Sequence, residues 1–80
     1  MRVEVLLFAA LKDEIGMTFA VELREPATVA DLRLALEASH PVFARFGRRA
    51  MVAVNEAWAA DGDPVRPGDT VALLPPVAGG

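Results

Sequence analysis

Apolar and polar positions change period several times along the chain, and each change predicts an element. Arg2 to Phe8 (RVEVLLF) is rich in branched and aromatic residues and predicts a strand. Ala9 to Ile15 has the composition of a short helical turn, stopped by Gly16. Thr18 to Leu23 (TFAVEL) alternates and predicts a second strand, broken by Pro26. Thr28 with Asp31 three positions on is a variant of the capping box. Behind it Val29, Leu32, Ala35 and Leu36 recur at helical spacing, which predicts the one substantial helix over Val29 to about Ser39, closed by Pro41. Met51 to Val54 (MVAV) predicts a third strand, Asn55-Glu56 a turn, and Ala57 to Ala60 with Trp58 a short edge strand. Pro67 and Gly68 suit the centre of a type II turn, and Thr70 to Leu74 (TVALL) predicts the last strand, ended by Pro75 and Pro76.

This order predicts an α+β fold, with one main helix on one face of a mixed sheet of four to five strands. It is the ββαββ arrangement of a β-grasp, or ubiquitin-like, domain. A ferredoxin-like alternative needs a second long helix late in the chain, but Glu56 to Asp69 has two prolines and no helical period. The whole of 1–80 is expected to be a single domain, with a tail at about 75–80.

Strand alternation sorts side chains between the two sheet faces. If Val3, Val5, Leu7, Val71 and Leu73 point to the helix, Leu6, Phe8 and Leu74 point away from it. An apolar cluster on an uncovered face predicts a docking surface, unless loops or the chain's own tail cover it.

Composition narrows the function. The chain is 54% apolar and 24% charged, which fits a globular domain rather than a disordered one. Its apolar runs are far shorter than the roughly 20 residues of a membrane span. No basic and apolar export leader is read at Met1, and the expectation is a cytoplasmic protein without membrane contact. A net charge of −3 argues against nucleic-acid binding, for which Gly47-Arg48-Arg49 is the one hint. There are no cysteines, which excludes disulfides, cysteine metal sites and a side-chain persulfide.

Catalytic side chains are hard to find. The single histidine, His40, reads as a helix-end residue favoured by the dipole. Asp61-Gly62-Asp63 reads as a turn rather than a metal site, and no phosphate-binding glycine motif is present. One other reactive group is the main-chain carboxylate of Gly80. Gly79-Gly80 can thread a channel where a Cβ would clash, and Pro75-Pro76 favours an extended spacer. A free carboxylate is a poor electrophile, so it becomes useful only when another enzyme activates it. The alternative is an inert tail.

Taken together, VEVLLFAALKDEIG (3–16), VAVN (52–55) and PGDTVALLPPVAGG (67–80) resemble the MoaD/ThiS family of ubiquitin-like sulfur carriers, and within it the branch of molybdopterin synthase small subunits. The resemblance implies that Gly80 is adenylated by an ATP-using enzyme related to ubiquitin-activating enzymes. Sulfur from a donor protein then converts it to a thiocarboxylate. The tail enters the large subunit of molybdopterin synthase, in a heterotetramer, and sulfur passes to cyclic pyranopterin monophosphate. By position, Gly79 is the threading neighbour, Pro75, Pro76, Val77 and Ala78 form the spacer, and Leu6, Phe8 and Leu74 fall on the docking face. No bound cofactor is implied; ATP belongs to the activating partner. Such a chain is the sulfur-donor subunit of a heteromeric sulfurtransferase, with no catalytic side chains of its own. The PPVAGG ending and the length favour this branch over carriers for thiamine thiazole or tRNA thiolation. A ubiquitin-like modifier that conjugates to lysines, or a plain interaction module, stays open.

Overall fold

The computed structural model describes residues 1–46 and 49–75. Two strands open the chain, β1 (Arg2–Leu7) and β2 (Thr18–Glu22), joined through a short helix α1 (Ala9–Ile15). A two-residue strand β3 (Ala27–Thr28) leads into α2 (Val29–Ser39), followed by α3 (Pro41–Phe46). Then come β4 (Met51–Val54), β5 (Ala57–Ala59), β6 (Pro64–Val65) and β7 (Val71–Leu74). The main sheet has five strands in the order β2-β1-β7-β4-β5. Its central pair, β1 and β7, is parallel and the other pairings are antiparallel. This is the mixed sheet of a β-grasp, with β3 and β6 forming a separate two-stranded patch.

The capping box at α2 is complete. The Asp31 N–H donates to Thr28 Oγ1 at 3.3 Å, and the Thr28 N–H donates to Asp31 Oδ2 at 2.9 Å. Two further free amides of the first turn are satisfied by a loop: Val29 N–H donates to the Asp63 carbonyl and Ala30 N–H to that of Asp61, each at 2.9 Å. Arg33 ties the same loop down, donating through Nε to Asp61 at 2.9 Å and through a terminal nitrogen to the Ala50 carbonyl at 2.7 Å. The helix is thereby fixed over the sheet by hydrogen bonds at its start and by Val29, Leu32 and Leu36 along its inner face.

Those three side chains are buried against Val3, Val5, Leu7, Val52, Val71 and Leu73 of the sheet, all on the face predicted to meet the helix. Each fully buried leucine or valine contributes about 1.5–3 kcal/mol from removal of apolar surface from water. No polar or charged side chain is buried among the described residues.

The expected helix pattern needs correction. Pro41 does more than close a helix: after the extended residue His40 it takes the first position of α3, where a missing N–H costs nothing. α3 buries Val42 and Phe43, so the sheet face carries more helical cover than the one main helix alone supplies. His40 stands at the helix end as expected, as the C-cap of α2: its N–H donates to the Leu36 carbonyl at 3.1 Å, its Nδ1 accepts the Val42 N–H at 3.2 Å, and its ring packs edge-on to Phe19 and Phe43. Finally, β3 and β6 are absent from the sequence reading because two-residue strands have no period to detect.

Candidate functional site

The parallel pairing of β1 with β7 decides where the site lies. Val5, Leu6 and Leu7 stand opposite Val71, Ala72 and Leu73. Phe8 and Leu74 are the next residues of the two segments beyond the last pair, and Pro75 follows. The root of the tail therefore leaves the sheet at the end where β1 presents its last side chains.

Phe8 is not in β1, but its backbone is still extended (φ −130°, ψ 159°), so alternation carries over and its ring shares the face of Leu6. Leu6 is 38% and Phe8 44% exposed, and Leu74 is half-buried. The predicted trio is thus brought together on the face away from α2. Ala9 then takes φ 52°, a left-handed conformation that side chains disfavour, and so turns the chain sharply into α1 directly after Phe8. Leu11 of α1 is fully buried, which anchors this turn.

The patch is wider than the trio. Met51 pairs with Leu74, Ala53 with Ala72, and Trp58 with Ala53, so all lie on the same face by register. Met51 is 46% and Trp58 63% exposed. The resulting stripe runs from Phe8 and Leu6 across Ala72 and Leu74 to Met51 and Trp58. Charged residues flank it farther along β1 and β2, at Arg2, Glu4 and Glu22. The sequence contained a signal for Met51, which stands between the buried Ala50 and Val52, but not for Trp58, whose neighbour Ala57 is also exposed. What it lacked was the cross-strand register that places them beside Leu74.

Pro75 is half-buried at the end of β7. Pro76, Val77, Ala78, Gly79 and Gly80 lie outside the described residues, as do Gly47 and Arg48 of the basic hint; Arg49 is exposed.

No group of three or more His, Cys, Asp or Glu side chains among the described residues is placed to hold a metal. A hollow lined by Leu11, Leu36, Phe43, Phe46 and Leu73 holds about 10 Å³, room for one water rather than a substrate. Asp69 has its carboxyl held below the usual carboxylate range, first by the Arg66 N–H and then by the Asn55 amide, and it sits in a turn. No helix among the described residues is long and apolar enough to cross a membrane.

Comparison with known proteins gives the family. A model of the ThiS family matches residues 5–80. The chain is 32% identical, over 85 aligned positions and the full length of both proteins, to the molybdopterin synthase sulfur carrier subunit of Chlamydomonas reinhardtii. It superposes on the small archaeal modifier protein 1 of H. volcanii with a TM-score of 0.81 at 35% identity, covering 95% of this chain and 98% of the other. It also matches, at TM-score 0.69 and 27% identity over the whole of both chains, a structure of the complex of subunits 1 and 2 of molybdopterin-converting factor from Helicobacter pylori. The chain belongs to the ThiS family: it is a β-grasp sulfur carrier of the MoaD/ThiS type.

Proposed function

We propose that this carrier serves molybdopterin synthesis, with Gly80 as the residue that holds sulfur. The observation that supports it best is the position of the tail root. β7 delivers Pro75 from inside an exposed apolar stripe made by Phe8, Leu6, Leu74, Met51 and Trp58. A partner that covers this stripe receives the tail at a fixed point, and a Pro-Pro sequence favours an extended chain. From Pro75 to Gly80 the tail reaches at most about 20 Å, enough to enter a neighbouring subunit's site.

The chemistry follows from what the chain lacks. Without cysteine it has no thiol to carry sulfur, and a carboxylate does not accept sulfur unaided. Adenylation by an ATP-using partner replaces a poor leaving group with AMP. Sulfur from a donor protein then displaces AMP and leaves a thiocarboxylate on Gly80. Docked on the large subunit of molybdopterin synthase, the terminus donates that sulfur to cyclic pyranopterin monophosphate. The identity to the Chlamydomonas reinhardtii carrier subunit and the likeness to the two-subunit Helicobacter pylori complex support this branch. The likeness to an archaeal modifier protein favours a second reading, in which the same activated terminus is passed to lysines of other proteins.

Intact-protein mass spectrometry tests the proposal. With ATP, activating enzyme and a sulfur donor, the protein is expected to gain about 16 Da as sulfur replaces oxygen at an activated acyl carbon. Deleting Gly80 is expected to abolish the gain and leave the melting curve unchanged. Sulfur on the deletion variant would place the carrier group elsewhere. Transfer to the large subunit with release of molybdopterin separates this branch from the modifier reading.

A further inference from the structure

The chain has no cysteine, so its three methionines hold its only side-chain sulfur, and the carrier reading gives none of those sulfur atoms a role. They stand in different surroundings. Met1 is half-buried against the core, and its ammonium donates to the Leu23 carbonyl at 2.6 Å. Met17, just before β2, is 69% exposed. Its carbonyl accepts the Leu7 N–H at 2.9 Å, which puts it opposite Leu7 and off the face of Leu6. Met51 opens β4 and is 46% exposed.

Met51 alone of the three belongs to the apolar stripe, and it stands in the middle of it. It pairs with Leu74 of β7. Ala53 pairs with Trp58, so Met51, two residues earlier, is the diagonal neighbour of the tryptophan, at about 7–8 Å. Val52 between them is buried on the inner face, which turns the Met51 thioether outward. An exposed thioether is open to peroxide, and its sulfoxide is polar where the thioether was apolar.

We propose that Met51 is an oxidation switch on docking: hydrogen peroxide converts its thioether to the sulfoxide, and the sulfoxide weakens a partner's hold on the stripe. This rests on the reading of the stripe as the surface that meets the large subunit. A sulfur lone pair attacks one peroxide oxygen and forms the S–O bond. The O–O bond breaks, and the departing hydroxide takes the remaining hydroxyl proton and leaves as water. Sulfur is oxidised by two electrons and the peroxide is reduced. The new S–O dipole then stands between Leu74 and Trp58. A partner surface that matches those apolar neighbours gives it no donor, so its loss of water goes uncompensated. Met17, off this face, oxidises without that consequence. Methionine sulfoxide reductases return the thioether, which makes the switch reversible.

The test treats the full chain with hydrogen peroxide until peptide mapping shows Met51 converted, a gain of about 16 Da on its peptide. Affinity for the large subunit is then read by titration calorimetry, each protein against its own untreated form. Oxidised wild type is expected to bind about 10- to 100-fold more weakly, the effect of burying one polar group without a partner. Treatment with methionine sulfoxide reductases A and B should restore it. Met17→Leu should show the same loss on oxidation, and Met51→Leu should show none although Met17 is converted. Peroxide added to the complex should convert Met17 and spare Met51. Unchanged affinity with Met51 fully converted, a loss that persists in Met51→Leu, an oxidised protein that has unfolded, or a Met51 left as thioether while Met17 is converted would each overturn the proposal. Untreated wild type that does not bind would instead overturn the docking reading, and the switch with it, before any peroxide is added.

Discussion

Asn55 and Asp69, fourteen residues apart, are joined side chain to side chain, Nδ2 of Asn55 donating to Oδ1 of Asp69 at 3.0 Å. The same asparagine accepts the Thr70 N–H through Oδ1 at 2.9 Å, and its own N–H donates to the Thr70 carbonyl at 2.7 Å. Asp69 completes the cluster by accepting the Arg66 N–H at 2.8 Å. The β4–β5 turn is thus clamped to the turn that launches β7, the strand from which the tail departs.

Asn55 has φ 52° and Glu56 φ 68°, the left-handed pair a two-residue hairpin turn requires. Asn55→Ala removes two side-chain hydrogen bonds and leaves a left-handed alanine. A loss of about 1–3 kcal/mol is expected in urea unfolding. Asn55→Gly relieves the backbone and still loses the bonds, so it should fall between wild type and alanine. Equal stability of all three proteins would show that the clamp contributes nothing.

The lowered pKa of Asp69 gives a pH prediction. Because the folded carboxyl gives up its proton at lower pH than the unfolded one, the unfolded chain binds more protons between the two values, and stability rises with pH there. The contribution is complete above the ordinary carboxylate value of about 4 and is lost as pH falls through the lowered folded value. Asp69→Asn should therefore lower the melting temperature at neutral pH, and the gap from wild type should close in acid. A gap that is constant with pH would assign the effect to shape rather than charge.

Leu32 and Leu36, 0% and 1% exposed, form the centre of the helix–sheet contact. Leu32→Ala is expected to cost about 2–5 kcal/mol, typical of a large-to-small core change. Leu34, 66% exposed on the same helix, serves as the control, since Leu34→Ala touches no core. Chemical denaturation of both variants checks the helix face, and a loss below about 0.5 kcal/mol for Leu32→Ala would contradict it.

What was legible in the sequence is what repeats. α2 was readable because Val29, Leu32 and Leu36 recur at helical spacing behind a cap, and the inner sheet face because Val3, Val5 and Leu7 alternate. α3 was not, because six residues behind a proline give one turn and a half and no period. Met51 and Trp58 were missed for another reason: their place in the stripe depends on Met51 pairing with Leu74 and Ala53 pairing with both Ala72 and Trp58, and no local pattern encodes pairing between strands distant in sequence. The trio Leu6, Phe8 and Leu74 was legible only because β1 and β7 are regular up to the point where the tail begins.

The apolar stripe, proposed as the docking surface, gives the last prediction. Phe8 and Trp58 are its opposite ends, on β1's extension and on the edge strand β5, and both are exposed. Phe8→Asp places a charge beside the root of the tail, where a covering partner must exclude water; Trp58→Asp places one at the far edge. Neither ring lies in the core, so circular-dichroism melts should stay close to wild type. Titration calorimetry against the large subunit is expected to show a loss of about 2–4 kcal/mol for Phe8→Asp, the range of a central anchor, and a smaller loss for Trp58→Asp if it lies at the rim. The order of the two effects is the informative part. A partner centred on the tail root must lose more at Phe8; a larger loss at Trp58 would centre the interface on β5. Unchanged affinity in both folded variants would leave the stripe without a docking role and the tail without a fixed point of entry.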